Sequence, residues 1–253
     1  MTASPDINHP RVQNWHYWLP MAVFLGIIFL NQYAGLPFPV AYVARTVVVA
    51  VILICVWRFY TRVRWNYWQL GLLVGVLGLV QWVGMEMGLI WLRDQFAEGS
   101  TIRSLIGLTS MVKPEDSMVY VVPNEIHNPW LLWGFIAVRW TGSTLVVPFM
   151  EETFWRDWLW RTVAAPNDFR LQRVGEYDKF SVWLVPVFFA LVHVQLLTAV
   201  VWALMIAWLL LRTKSIGACI VAHATTNFLL GGWVLLCWQM GWKPLGHAQW
   251  FFW

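Results

Sequence analysis

The chain has 253 residues, 59% of them hydrophobic and 12% charged, against about 25% charged in an average soluble domain; its mean hydropathy is +0.58. That balance excludes an ordinary water-soluble globule and makes the bilayer the natural solvent. A net charge of +4 does not indicate a nucleic-acid partner, because the Lys and Arg sit beside apolar runs and form neither a patch nor a known motif.

No internal repeat and no Ser/Gly-rich or Pro-rich stretch divides the chain. Residues 1–253 are therefore expected to form a single membrane domain, an all-α polytopic bundle of about seven spans. About 20 apolar residues cross the hydrocarbon, and the first runs long enough extend from Trp18 to Ala34, Val40 to Phe59, Leu70 to Leu92 and Trp130 to Met150. The first lacks the small-residue cleavage site of a signal peptide and reads as a retained span. The fourth should continue as helix beyond its acidic end. The next run, Phe180 to Leu211, is too long for one span and reads as two helices joined near Gln195 to Thr198, where buried surroundings tolerate irregular backbone. Ile216 to Trp238 closes the set. Between Arg93 and Asn128 lies a mixed, acidic stretch with room for a short surface helix. Cys55, Cys219 and Cys237 fall at unrelated spacings in apolar runs, as small core residues do, rather than as a disulfide framework or zinc site. The 21 Trp, many near run ends, suit interfacial belts.

Alternate loops differ in basic charge. With the N-terminus inside, the inner set is Arg11, Arg58, Arg62, Arg64, Arg156, Arg161, Arg170, Arg173, Lys179, Arg212 and Lys214, eleven in all, and the outer set is Arg93, Arg103, Lys113 and Lys243, which is four. This bias predicts a cytoplasmic N-terminus.

Three polar pairs interrupt the apolar runs at helical spacing. The first is the acidic pair Glu151-Glu152 followed by Arg156, where the fourth span is still inside the membrane. A charged residue at a helix centre costs about 2.5–3.5 kcal/mol on insertion scales. Arg156 stands i,i+4 from Glu152 and can neutralise it, leaving Glu151 as a general base. Phe189 and His193 form the second pair, His223 and Asn227 the third. Each pair alone also fits a structural role: a juxtamembrane charge cluster, a hydrogen-bonded core histidine, an interhelical clamp. Depth separates the two accounts. From helix ends near Trp160, Phe180 and Ile216, a rise of about 1.5 Å per residue places Glu151 about 14 Å deep, His193 about 20 Å, His223 about 10 Å and Asn227 about 16 Å. Independent structural accidents have no reason to agree in depth.

Glu-Glu-x-x-x-Arg, Phe-x-x-x-His and His-x-x-x-Asn, in this order on successive hydrophobic segments, resemble the CPBP intramembrane protease family, which includes type II CAAX prenyl proteases. The likeness covers Val146 to about Leu230, including Leu211 to Ile216 before His223, and within the family it is nearest to bacterial CAAX protease-related proteins. Two positions differ from the commonest pattern: Trp155 stands where Phe is usual, and Asp157, where Gly is frequent, adds a charge beside Arg156. The resemblance implies a catalytic core over 130–240, with residues 1–128 supplying helices of unassigned role. It implies an integral protein of the bacterial inner membrane that cleaves a membrane protein or peptide substrate near its hydrophobic or lipidated C-terminal part. By resemblance, Glu151 and His193 activate a water, His223 and Asn227 hold the oxyanion, and Glu152 and Arg156 support them. No cofactor is expected. Two His and a Glu are also a known catalytic Zn²⁺ ligand set, so zinc stays as the alternative, though no His-Glu-x-x-His is present.

Rivals of another class are a non-catalytic binding or immunity protein and a transporter. Glu86 and Arg139 give them content, as an intramembrane pair of the third and fourth spans or as substrate ligands. A transporter should also show paired interrupted helices in two related halves, and here the polar residues concentrate in the C-terminal half.

Overall fold

The computed structural model describes residues 12–109 and 126–253; Arg11 and Lys113 of the loop-charge count lie outside them. Eight helices follow in order: α1 Asn14–Ala34, α2 Phe38–Val56, α3 Trp68–Asp94, α4 Thr101–Thr109, α5 Pro129–Ala164, α6 Lys179–Leu191, α7 Leu196–Thr213 and α8 Ile216–Gln239. The protein is an all-α integral membrane protein: six of these helices are long and apolar enough to cross a bilayer, and α6 is a shorter apolar helix. The short helix expected after Arg93 is α4.

Helix ends follow local chemistry. Gly35 closes α1 in the left-handed conformation, its N–H on Asn31 O, the position where glycine carries no Cβ penalty. The Asn128 side chain accepts from Trp130 and Leu131 N–H at the start of α5, with Pro129 at the first helical position where its missing N–H costs nothing. Asp178 caps α6 in the same way. Ser215 caps α8 by accepting from Ala218 N–H at 3.1 Å and donates its own hydroxyl to Arg64 O at 2.7 Å, so the start of the last span is pinned to the loop before α3.

The closest helix contact is the seam of α3 and α8. A Cβ on Gly71 would lie 2.5 Å from Ala218 O, one on Gly75 2.5 Å from Thr225 Cβ, and one on Gly78 2.5 Å from Thr226 Oγ1. With no hydrophobic drive between helices in lipid, such small-residue stripes gain van der Waals contact by letting backbones approach. Thr226 adds a bond from Oγ1 to Gly75 O at 3.0 Å.

The α6–α7 break falls at Val192–Gln195, slightly earlier than the expected join. Thr198 does not open the helix; its hydroxyl donates to Glu86 of α3 at 2.5 Å inside α7. Gln195 Nε2 donates to Phe251 O at 3.0 Å, tying the turn to the C-terminal 3₁₀ segment Gln249–Phe252. The 13 residues of α6 rise only about 20 Å, short of the roughly 30 Å of a hydrocarbon core. The turn therefore lies at membrane depth, packed against protein as the bilayer requires.

Candidate active site

α5 is not a uniform α-helix. Residues Gly142–Val146 and Thr153–Leu159 are π-helical, on either side of the α-helical Val147–Glu152. Pro148 explains the first widening, because it lacks an N–H and its ring presses on the carbonyl four residues back. Asn227 exploits it: its Nδ2 donates to Ser143 O at 2.8 Å.

The widening sets the wall of a cavity of about 210 Å³, which Arg139, Ser143, Val147 and Glu151 all line. Steps of four residues on an α-helix overshoot a full turn by about 40° each, enough over three steps to carry the last residue off the face. A π turn holds an extra residue, so four residues fall short of a turn there and the drift is cancelled. Opposite this stripe, Trp82, Phe189, His193, Trp202, His223, Thr226 and Asn227 line the same cavity, with Tyr42 and Trp253 at the Arg139 end.

Glu151 and Glu152 are adjacent and both buried, yet their surroundings differ. Glu152 Oε1 lies 3.2 Å from an Arg156 guanidinium nitrogen and 2.8 Å from His223 Nδ1. The Arg156 guanidinium rests on the rings of Phe189, at 4.4 Å, and Trp202, at 5.5 Å. Glu151 lines the cavity, and its Oε2 has no hydrogen-bond partner among the described residues. One carboxylate is spent on structure and the other faces open space.

His193 sits in the turn after α6, stacked on Phe189 at 4.2 Å between centroids. Its Nδ1 is 2.7 Å from Phe189 O. A carbonyl only accepts, so Nδ1 carries the proton and the neutral ring keeps its lone pair on Nε2. His223 differs. With Nδ1–H given to Glu152, it has a second N–H to offer at Nε2 only in the imidazolium form.

Asp157, the charge expected to disturb Arg156, faces the other way. It forms an ion pair with Arg161, which donates to Thr61 Oγ1 at 2.8 Å, itself bonded to Tyr17 OH at 2.9 Å. Arg156 is left to Glu152.

The structure thus brings Glu151, His193, His223 and Asn227 to one cavity, with Glu152 and Arg156 behind it. The Glu152–His223 bond and the wall from Ser143 to Arg139 were not foreseen. Glu86 receives Thr198, and the Arg139 guanidinium lies over the rings of Phe38, Tyr42 and Trp253. Among the described residues no three His, Cys, Asp or Glu form a group suited to a metal ion.

Residues 130–229 match a family model described as type II CAAX prenyl endopeptidase Rce1-like. The match runs from the start of α5 into α8 and contains all six residues named above. Neither a curated protein nor a solved structure matches the chain. Over residues 130–229 the chain is thus similar to the type II CAAX prenyl endopeptidase, Rce1-like, family.

Proposed function

We propose that the protein is an intramembrane endopeptidase that hydrolyses a peptide bond near the hydrophobic or lipidated C-terminal part of a membrane-held protein or peptide, in a bacterial inner membrane and with its N-terminus cytoplasmic. The observation that carries this reading is the asymmetry of the acidic pair: Glu152 is tied to Arg156 and His223, while Glu151 lines a cavity shared with His193, His223 and Asn227. Glu151, with His193 Nε2 as its partner, takes a proton from water as the oxygen attacks the peptide carbonyl. Negative charge then develops on the carbonyl oxygen. Asn227 has a second amide N–H beside the one given to Ser143, and imidazolium His223 has Nε2–H; donors of this kind contribute about 3–4 kcal/mol each in comparable sites. Glu151 finally passes its proton to the departing amine. Glu152 orients His223 through Nδ1, and Arg156 balances Glu152.

The same reading is metal-free. Arg156 puts a fixed cation against the carboxylate that a Zn²⁺ site would recruit together with His223, and like charges compete for it. The test is cleavage by the purified protein in lipid of a library of peptides with hydrophobic C-terminal segments, before and after prolonged dialysis against a strong chelator. Discrete products at unchanged rates after dialysis are expected. An absence of product across the library would refute proteolysis, and activity restored only by stoichiometric zinc would refute the metal-free route.

A further inference from the structure

We propose that Glu86, on a helix outside the family match, is a positioning residue for the reaction: through the hydroxyl of Thr198 it holds the start of α7 and, with it, the aim of His193. The inference rests on the proteolytic reading above and adds to it a residue that does not line the cavity.

Glu86 is fully buried inside the span α3. A carboxyl group there costs more than a typical interhelical hydrogen bond returns in lipid, which points to placement rather than stability as its contribution. Thr198 Oγ1 donates to Glu86 Oε1 at 2.5 Å, and Gln81, on the same helix as Glu86, donates from Nε2 to Thr198 O at 3.2 Å. One residue of α7 is thus held by α3 at both its side chain and its carbonyl. Thr198 is the third residue of α7. Just ahead of that helix, His193 stands in the turn Val192–Gln195, outside any regular helix.

Two routes lead from this tie to the site. Trp82 stands one turn before Glu86 on the same face of α3 and meets the His193 ring edge-on, at 6.0 Å between centroids. Trp202, one turn after Thr198 on α7, stacks on Phe189 at 5.3 Å and meets His223 at 4.6 Å. A Cβ on Gly78 of α3 would lie 2.9 Å from Trp202 Nε1, so α7 has little room to slide against α3 once Thr198 is seated. Phe189 supplies both the ring on which His193 stacks and the carbonyl that receives its Nδ1–H. The register of α7 therefore sets Trp202, the ring stack beside it and the direction of the His193 Nε2 lone pair. Misplacing such a group by about 1 Å can lower a rate by about a hundredfold.

The experiment uses the full chain in lipid discs and a quenched fluorescent hydrophobic peptide chosen because the wild type cuts it. Thr198→Val, which keeps the shape and loses the hydroxyl, and Glu86→Leu should each lower kcat per folded molecule by about tenfold or more, with KM within about twofold. Thr198→Ser and Glu86→Gln, which keep the donor and the acceptor, should stay within about threefold of wild type. Both damaging changes cut the same bond, so the double variant should lose no more than the worse single one. A second readout needs no substrate. In NMR spectra of protein labelled at the histidine ring nitrogens, the His193 signals, assigned by their loss in His193→Gln, should shift in Thr198→Val and hold still in Thr198→Ser. An unchanged kcat per folded molecule, a change confined to KM, a Glu86→Gln loss equal to that of Glu86→Leu, or His193 signals that do not move in Thr198→Val each overturn the inference. Should Thr198→Val not fold, Gln81→Leu, which cuts the second tie to Thr198, decides in its place: a fall in kcat of about threefold or more supports the inference, and an unchanged kcat overturns it. If the wild type cuts no peptide, proteolysis is refuted and the His193 signals alone decide the placement.

Discussion

Two ion pairs of identical i,i+4 spacing begin five residues apart on α5, and both are buried. Glu152–Arg156 lies behind the cavity, where it also receives His223. Asp157–Arg161 faces α1 and the loop before α3, through Thr61 and Tyr17. Spacing specified that each pair would form; the side of the helix on which each fell decided whether it serves the site or the scaffold. The same distinction separates Glu151 from Glu152 at a single step along the chain.

The sharpest break of this comparison is between the neighbouring acids. Glu151→Gln should lower cleavage by about a thousandfold or more while the thermal midpoint in detergent moves by less than about 2 °C, since the step it removes is general-base catalysis, aided by His193. Glu152→Gln should lower the midpoint as well as the rate, because it strands Arg156. Equal loss of activity in both variants at unchanged stability would sink the assigned roles.

Next in size is the contrast of the two arginines. Removing one partner of a buried pair leaves an uncompensated charge, a loss of about 3–5 kcal/mol, so Arg156→Met and Arg161→Met should both destabilise the fold in a chemical melt. Only Arg156→Met should also lower kcat per folded molecule. If Arg161→Met cut kcat as strongly, the claim that its face serves the scaffold alone would fail.

The smallest expected effect concerns α3, which carries the site without entering the family match. Gly75→Ala, whose new Cβ meets Thr225 and Ala222, should cost about 1–3 kcal/mol by overpacking and push α8 outward. Gly84→Ala, with nothing within 4 Å, should be neutral or stabilise by a few tenths of a kcal/mol through helix propensity. Matched melting curves of the two variants would test whether the seam is close-packed.

The sequence made visible what is local. Apolar runs are read by length, which is why five of the six long spans were recognised to within a few residues and α6–α7 was recognised as a broken pair. The i,i+4 pairs Glu152–Arg156 and Phe189–His193 are legible for the same reason, and similar depth groups three helices before any contact is known. What stayed hidden is set by packing between distant segments. Glu152 meets His223 across 71 positions and Asn227 meets Ser143 across 84, and no periodicity reports either. The apolar run of the fourth span ends at Met150, and its expected continuation as helix beyond the acidic pair holds: burial of both ion pairs lets it run on to Ala164. Gly71, Gly75 and Gly78 did carry a readable small-residue stripe, the one available sign that α3 would back the site. Pro148 was the sole local hint of the π turn.

That π turn makes the number of residues in α5 as consequential as their identity. Loops absorb insertions and deletions; the stretch between Arg139 and Glu151 has no such slack. Deleting one residue there would let the chain relax into an ordinary α-helix, more regular locally, and would swing everything on its N-terminal side by about 100° relative to Glu151. Arg139 would then leave the cavity and the Ser143 carbonyl that holds Asn227 would turn away with it, so a relative differing by a single gap at this point would carry the same residues around a differently shaped cavity.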